Sequence, residues 1–419
     1  MITIRRRKYW RLTAMFVTAW MLAALVGLAP CSATAEIVVA VVMSGLDNPR
    51  GLAFGPDGGL YVAETGRGGT GPSIVLPPNE TVFYGTSGAV SRLLGGVQER
   101  VLTGLPSLAL DGGARARGLH DIGFSASGEA FGVFGWGGNP ALRSNLGAAG
   151  SDFARLVRLP LAGTGTVDGI ADIGAYESSA NPDGGAFDTN PYGLLVTPAG
   201  GFVVADAGGN DIIGLTAGGA VSTLSVLPPN PNPPMFQAVP TSVALGPDGA
   251  YYIGQLTGGP FVPGAANVYR LDPVSGDRTV AYSGFTNIID LTFGADGSLY
   301  VLQISRDGLA SPTGPVPGAL IRIDLTTGIR TTIISDGLNF PGGVVAGPDG
   351  ALYVSNFGVS AGGGQVLRII IPEPSSVVLL TACLVVLIGV RRKRGGPNRT
   401  VEKAAQRRLV LTSGRLDQQ

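Results

Sequence analysis

One pattern recurs six times along this chain and limits its fold more than any other feature. An apolar run leads into a tight turn with glycine, and a second apolar run follows, aromatic in most copies. The copies span Gly51 to Ala63, Ile122 to Val133, Gly193 to Ala205, Ser242 to Gly254, Leu291 to Gln303 and Gly343 to Ser355. Their turn glycines, Gly58, Gly128, Gly200, Gly249, Gly297 and Gly350, stand 70, 72, 49, 48 and 53 residues apart. A fixed period marks a repeat architecture. In copies such as Pro56-Asp57-Gly58 the proline presets φ, the aspartate bonds its own backbone, and the glycine accepts positive φ. Flanking Phe, Leu, Val, Tyr and Ile suit buried pleated strands, so each copy is predicted as an antiparallel hairpin.

Outer strands are predicted after most hairpins, for example at Asn267 to Leu271 and Arg278 to Tyr282, then at Leu320 to Ile323 and Arg330 to Ile334. A spacing near 50 then matches one four-stranded blade of a β-propeller, which predicts an all-β chain of six blades. The last copy has room for one further strand, Gln365 to Ile371, so its fourth must come from Glu36 to Met43 at the other end. Such a strand closes the ring and removes exposed sheet edges. The first two repeats carry roughly 20 extra residues each, including Gly66 to Pro78 and Trp136 to Gly150, read as glycine-rich surface loops with a capacity for function.

Composition narrows the chemistry. Residues 36–371 contain 15 Arg, no Lys and 26 Asp plus Glu, a net charge of −11, which disfavours nucleic-acid binding. The missing lysines remove Schiff-base chemistry. Cys31 and Cys383 both lie outside that span, so it can form no disulfide, thiolate nucleophile or cysteine-ligated zinc site.

The two ends read as addresses. Arg5, Arg6, Arg7 and Lys8 precede an apolar stretch from Leu12 to Leu28, and Ala33, Thr34 and Ala35 supply small residues for cleavage, so residues 1–35 read as a signal peptide of an exported protein. A lipoprotein route through Cys31 and a twin-arginine route through Arg6 and Arg7 are the alternatives. At the other end Pro372, Glu373 and Pro374 lead into an apolar run, Val377 to Val390, that stops at Arg391, Arg392, Lys393 and Arg394. Fourteen residues rise only ~21 Å as a helix, short of a full membrane span. A basic stop held on the cytoplasmic side nevertheless favours a membrane helix. Residues 372–394 resemble the PEP-CTERM sorting signal, which implies processing by an exosortase and display at the cell envelope or outside the cell. That signal normally ends just after its basic residues, whereas here 395–419 continue as a basic and polar tail.

Several stretches exceed a generic repeat: Asn48 to Gly55, Asn181 to Leu194, Ala205 to Asp211, Val239 to Gly259, Phe285 to Leu291 and Ser355 to Ile369. Together they resemble the ScyD/ScyE family of propeller proteins. The resemblance implies an exported six-bladed propeller, of the NHL or strictosidine-synthase-like kind, whose activity is undefined within the family itself.

If each hairpin opens with the innermost strand, its first residues share a rim with those just after its second strand. That rim collects Arg50, Glu64, Tyr192, Asn210, Gln255, Gln303 and Asn356 as candidate ligand-binding residues. Asp206 and Asp290 are candidate metal ligands, because carboxylate oxygens suit a hard cation such as Ca²⁺. His120 beside Asp121 is a candidate base. Each of these also suits a structural role, since polar residues at strand ends routinely satisfy neighbouring backbone. Asp183, Asp188 and Asn190 suit either a calcium loop or plain turns. Two functions remain open: a non-catalytic binding or scaffold protein for an exopolysaccharide or protein ligand, and a metal-dependent hydrolase or lactonase-like enzyme.

Overall fold

A computed structural model describes residues 36–372, apart from 162–165, 231–234, 313, 315 and 316. The leader 1–35 with Cys31, and the sorting-signal residues Glu373, Pro374, Cys383, Arg391 and Arg392, lie outside the described residues. Among those described, no helix is long and apolar enough to cross a membrane. Ile37–Ile371 form one compact unit.

The unit is all-β, and every hairpin read from the repeat is present. The first strands are β1 (Val38–Leu46), β2 (Pro49–Phe54), β3 (Leu60–Glu64), β4 (Ser73–Leu76), β5 (Glu80–Leu94) and β6 (Val97–Ala109). β7 (Arg117–Phe124), β8 (Ala130–Phe134), β9 (Arg155–Leu159) and β10 (Asp168–Asp172) follow. An eight-residue helix, α1 (Ile173–Ala180), precedes β11 (Pro191–Val196), β12 (Phe202–Asp206), β13 (Asp211–Leu215) and β14 (Val221–Val226). Then come β15 (Pro240–Leu245), β16 (Tyr251–Gln255), β17 (Ala266–Leu271) and β18 (Arg278–Phe285). The last strands are β19 (Ile288–Phe293), β20 (Leu299–Gln303), β21 (Ala319–Ile323), β22 (Arg330–Ile334), β23 (Gly343–Ala346), β24 (Leu352–Asn356) and β25 (Gly364–Ile370).

β11 to β14, β15 to β18 and β19 to β22 are consecutive four-stranded antiparallel sheets. The last sheet runs β1-β25-β24-β23, so its outer strand is supplied by the N-terminal segment, paired across two bulges from Val38 opposite Ile370 to Leu46 opposite Gly364. The first strands of the hairpins contact one another in a closed cycle: β2, β7, β11, β15, β19, β23 and back to β2.

The first two repeats depart from the expected separate units, because they share one nine-stranded sheet. The hairpin of β5 and β6, 15 and 13 residues long, outruns its neighbours. Its far end then pairs Ser107 and Leu108 with Gly118 and Arg117 of β7. The extra residues are not free surface loops. Ile74, Leu76, Val82, Leu108, Trp136, Leu146 and Phe153 bury one another in a cluster of their own. Trp136 is fully buried, with its ring 5.7 Å from that of Phe153. Burying two such aromatic rings stabilises the insertion by several kcal/mol, on the order of 1.5–3 for each large side chain.

Four hairpin turns share a device that sequence reading saw only in part. One aspartate oxygen accepts the backbone N–H two residues on, as in Gly59 to Asp57 at 2.9 Å. The other accepts a tyrosine hydroxyl four residues on and an arginine from the third strand. The trios are Asp57-Tyr61-Arg92, Asp248-Tyr252-Arg270, Asp296-Tyr300-Arg322 and Asp349-Tyr353-Arg368. Each ties turn, second strand and third strand together at the end of the sheet opposite the candidate rim.

Candidate functional site

The site is set by a β-bulge repeated near the start of the first strands. Five of them carry one more residue than the second strand opposite, between Pro49 and Leu52, Leu119 and Asp121, Pro191 and Gly193, Pro240 and Ser242, and Ile288 and Asp290. A bulge frees a residue from the ladder and re-aims its side chain. The residues gathered this way around the cycle include Arg50, His120 and Tyr192, followed by Asp121 and Asp290 one position on.

Arg50, His120 and Tyr192 come from three successive first strands and touch. The Arg50 guanidinium donates to the Tyr192 hydroxyl at 2.9 Å and lies 5.8 Å from its ring centroid. The His120 ring stands 4.8 Å from that of Tyr192, with Nδ1 3.1 Å from the Pro191 carbonyl. His120 is 3% exposed, and its Nε2 has no hydrogen-bond partner. Burial, with the charges of Arg50 and Arg117 nearby, pushes its pKa down to about 3. It is therefore a neutral imidazole at any ordinary pH.

Asp121 and Asp290 sit on β7 and β19, strands that lie across the cycle from one another. Each carboxylate bridges two neighbouring first strands. Asp121 accepts the N–H of Ile122 at 2.8 Å and of Leu194 at 2.7 Å, and Asp290 accepts those of Leu291 at 2.8 Å and Val344 at 2.7 Å. Burial pushes Asp290 up to about 7. Burial and the charge of Asp290 hold Asp121 well above the usual carboxylate range. Gly51 explains why β2 carries no side chain here: a Cβ on it would fall 1.8 Å from Asp121 Oδ1.

The remaining rim candidates are engaged elsewhere. Glu64, Asp206, Gln255 and Gln303 end their second strands opposite Pro49, Pro191, Pro240 and Ile288. There they tie down loops. Glu64 accepts the Asp47 N–H at 2.7 Å and the Ser91 hydroxyl at 2.6 Å, and pairs with Arg100 at 2.7 Å. Gln255 accepts from Asn267, Gln303 from the Thr286 N–H at 2.9 Å, and Asn356 from the Asn339 N–H at 2.7 Å. Asn210 donates to Asp183 at 2.9 Å and accepts the Val239 N–H at 3.1 Å. Asp206 accepts four donors, from Thr189, Asn190, Gly208 and Gly209. In this structure these six side chains act as clamps at the strand ends. Asp206 and Asp290 do not share a site. Among the described residues, no three His, Cys, Asp or Glu side chains converge as a metal centre.

A second polar cluster surrounds Asp206. Asp211 is its direct cross-strand partner between β12 and β13, and both are 1% exposed. Glu177 on α1, 3% exposed, accepts the Asp188 N–H at 3.3 Å. Burial raises Asp206, and burial with neighbouring carboxylates holds Asp211 well above its ordinary range, Glu177 at about 7 and Asp188 at about 6. The signal for Asp211 was present in the sequence, because a hairpin closing tightly on Ala207 to Asn210 sets Asp206 and Asp211 face to face.

A cavity of about 270 Å³ lies at neither cluster. It is lined by Tyr84, Leu105, Phe134, Asp152 and Arg155, where the two repeats of the nine-stranded sheet meet. We place the candidate site where the starts of the six first strands face one another, called the bore below, because three side chains from three separate repeats converge there, whereas the cavity follows from how the β5–β6 hairpin packs.

No protein-family model matches the chain, and no curated protein matches it. Solved structures do resemble its fold. A protein of unknown function from Bacteroides thetaiotaomicron is 10% identical, with 80% of this chain and 76% of that chain covered and a TM-score of 0.51. A virginiamycin B lyase from Staphylococcus aureus is 16% identical over 80% of this chain and 100% of that one, with a TM-score of 0.45. A putative gluconolactonase is 11% identical over 80% and 93%, with a TM-score of 0.46. These neighbours are β-propeller proteins, and at such identities the likeness speaks to fold alone.

Proposed function

We propose that this chain is an exported, envelope-associated six-bladed β-propeller of the ScyD/ScyE type, and that it acts as a non-catalytic binding protein for a hydroxyl-rich ligand such as an exopolysaccharide. The closed cycle of six first strands supports the blade count. The sorting-signal pattern from Pro372 to Arg394 supports envelope display after exosortase processing.

The observation that carries the non-catalytic reading is the state of the acid and base candidates in the bore. A general base works best with a pKa near the operating pH. His120, at about 3, has too little affinity for a proton. Asp121 and Asp290 are nearer the required range, but their oxygens hold the N–H groups of adjacent first strands. What the bore offers is a polar wall of Arg50, Tyr192 and paired carboxyls, suited to hydroxyl groups that donate and accept at once. The metal-dependent hydrolase or lactonase-like reading would need Asp206 and Asp290 at one ion, and they serve different parts of the fold.

Calorimetric titration of the purified chain with soluble oligosaccharides tests the proposal. Binding should weaken about tenfold in Tyr192→Phe and Arg50→Gln, the loss of one hydrogen bond worth roughly 1.4 kcal/mol. Turnover of a lactone or ester substrate, abolished by Asp290→Asn, would overturn it.

A further inference from the structure

The bore holds a cation without an anion. Among the described residues Arg50 is the one arginine that the fold buries, at 8% exposure, and it forms no ion pair, whereas most of the others do. Arg278 and Arg330, which also lack one, are at least partly exposed, so water solvates their charge. Burying an unpaired cation is expensive unless something answers its charge. The ring and hydroxyl of Tyr192 return only part of that cost. Asp121 and Asp290 do not supply the anion, because neither lies within ion-pair reach of Arg50 and each holds two backbone N–H groups.

The hydrogen bonds say what is missing. A guanidinium carries five N–H donors. Arg50 uses two, to the Tyr192 hydroxyl at 2.9 Å and the Ala116 carbonyl at 3.4 Å, and its buried Nε has no partner. Because the Tyr192 oxygen accepts from Arg50, its own O–H proton is left to donate. The neighbouring His120 supplies the opposite group. Its Nδ1 faces the Pro191 carbonyl at 3.1 Å, which can only accept, so the ring proton sits on Nδ1 and the buried, unpartnered Nε2 is a bare lone pair. Spare donors on Arg50 and Tyr192 thus stand beside one spare acceptor. The donors suit an anion, and the acceptor suits a hydroxyl. A single guanidinium matches the single charge of a carboxylate, and its planar fork matches the carboxylate's two oxygens. A doubly charged phosphate would need a second free cation, and Arg117, the next arginine along, already has Glu80 at 3.8 Å.

We infer that the bore selects a carboxylate-bearing sugar, a uronate, whose carboxylate takes Arg50 and the Tyr192 hydroxyl while a neighbouring ring hydroxyl donates to His120 Nε2. The inference rests on the hydroxyl-rich reading above and adds the charge of the ligand. The net charge of −11 over residues 36–371 opposes an anion only at range. Salt screens that repulsion beyond about 8 Å, whereas Arg50 acts in contact.

The test titrates the purified full chain by calorimetry with two oligosaccharides of equal length and linkage, an oligogalacturonate and its carboxyl-reduced counterpart. Wild type should bind the uronate at least tenfold more tightly, because its bonds to Arg50 are charge-assisted. Arg50→Gln, which weakens both, should bring the two level. Arg50→Lys should keep part of the preference, since it keeps the charge and loses the fork. Equal affinity for the two sugars in wild type, or a preference that survives in Arg50→Gln, would overturn the inference and leave the hydroxyl-rich reading standing. Binding of neither sugar overturns both. The wild-type comparison needs no variant, so it decides the matter even if the Arg50 variants fail to fold.

Discussion

Asp290→Asn isolates the protonation of the bore. The folded pKa of Asp290 is raised to about 7 from an ordinary 3.8, so between those values the folded state holds a proton that the unfolded state has released. The contribution is therefore fully present below about pH 3.8 and is lost as pH rises through about 7. Between pH 5 and pH 8 linkage gives a loss of roughly 2–3 kcal/mol from this group alone. Asp290 is half-buried, so solvent screening trims this to roughly 1–2 kcal/mol. The assay is denaturant unfolding of wild type and Asp290→Asn at pH 5, 6, 7 and 8, reading the difference between the curves. Groups that do not feel Asp290 titrate alike in both proteins and cancel in that difference, while Asp121, raised in part by the charge of Asp290, is relieved in the variant. The variant loses one of two backbone bonds and should be less stable at pH 5, and the gap should narrow or reverse by pH 8. A gap constant across the four pH values would refute the buried, proton-holding carboxyl on which the bore's description depends.

Deleting residues 36–46 strips the outer strand from the last sheet and uncovers β25, so the deleted chain should elute in larger species than the full chain on size-exclusion chromatography. Asp206→Ala leaves four donors without their acceptor and should cost about 4 kcal/mol in chemical denaturation, where a surface carboxylate would cost less than 1. Gly51→Ala forces a Cβ onto Asp121 Oδ1 and should lower stability by about 3 kcal/mol, whereas Gly58→Ala, with open space beside it, should show only the milder strain of its positive φ. His120→Gln should flatten the acid side of the stability profile. The folded pKa of His120 is depressed to about 3, so its contribution is complete above about pH 6.5 and is lost as pH falls towards 3.

The hairpins were legible because their signals are local. Pro, Asp and Gly at a turn and apolar runs on either side dictate two paired strands with no help from distant residues. The borrowed outer strand was legible by subtraction, since Gln365 to Ile371 left the last sheet one strand short and only Glu36 to Met43 was unassigned. What sequence could not supply was partnership. Glu64, Gln255 and Gln303 read the same whether they face a ligand or a loop, and the choice depends on donors such as the Asp47 N–H that fold back from elsewhere. The insertions misled for a related reason. Gly66 to Pro78 and Trp136 to Gly150 look like surface loops singly, and their shared core exists only once Trp136 meets Ile74 and Phe153. Asp121 and Asp290 were found as polar residues at strand starts, but their facing positions follow from the order of strands around the ring.

The pairing of Val38 with Ile370 gives the unit a mechanical seam. The first and last strands are antiparallel neighbours, so the two ends of the folded unit leave it side by side, at one end of one ladder. A pull applied between them loads that ladder at its terminal pair and opens it pair by pair, like a zip, instead of shearing all its hydrogen bonds together. A protein tethered through its C-terminal end and tugged at its N-terminal end would thus yield first at the point where it was fastened shut. A load shared with any other sheet would have to pass through that fastening first.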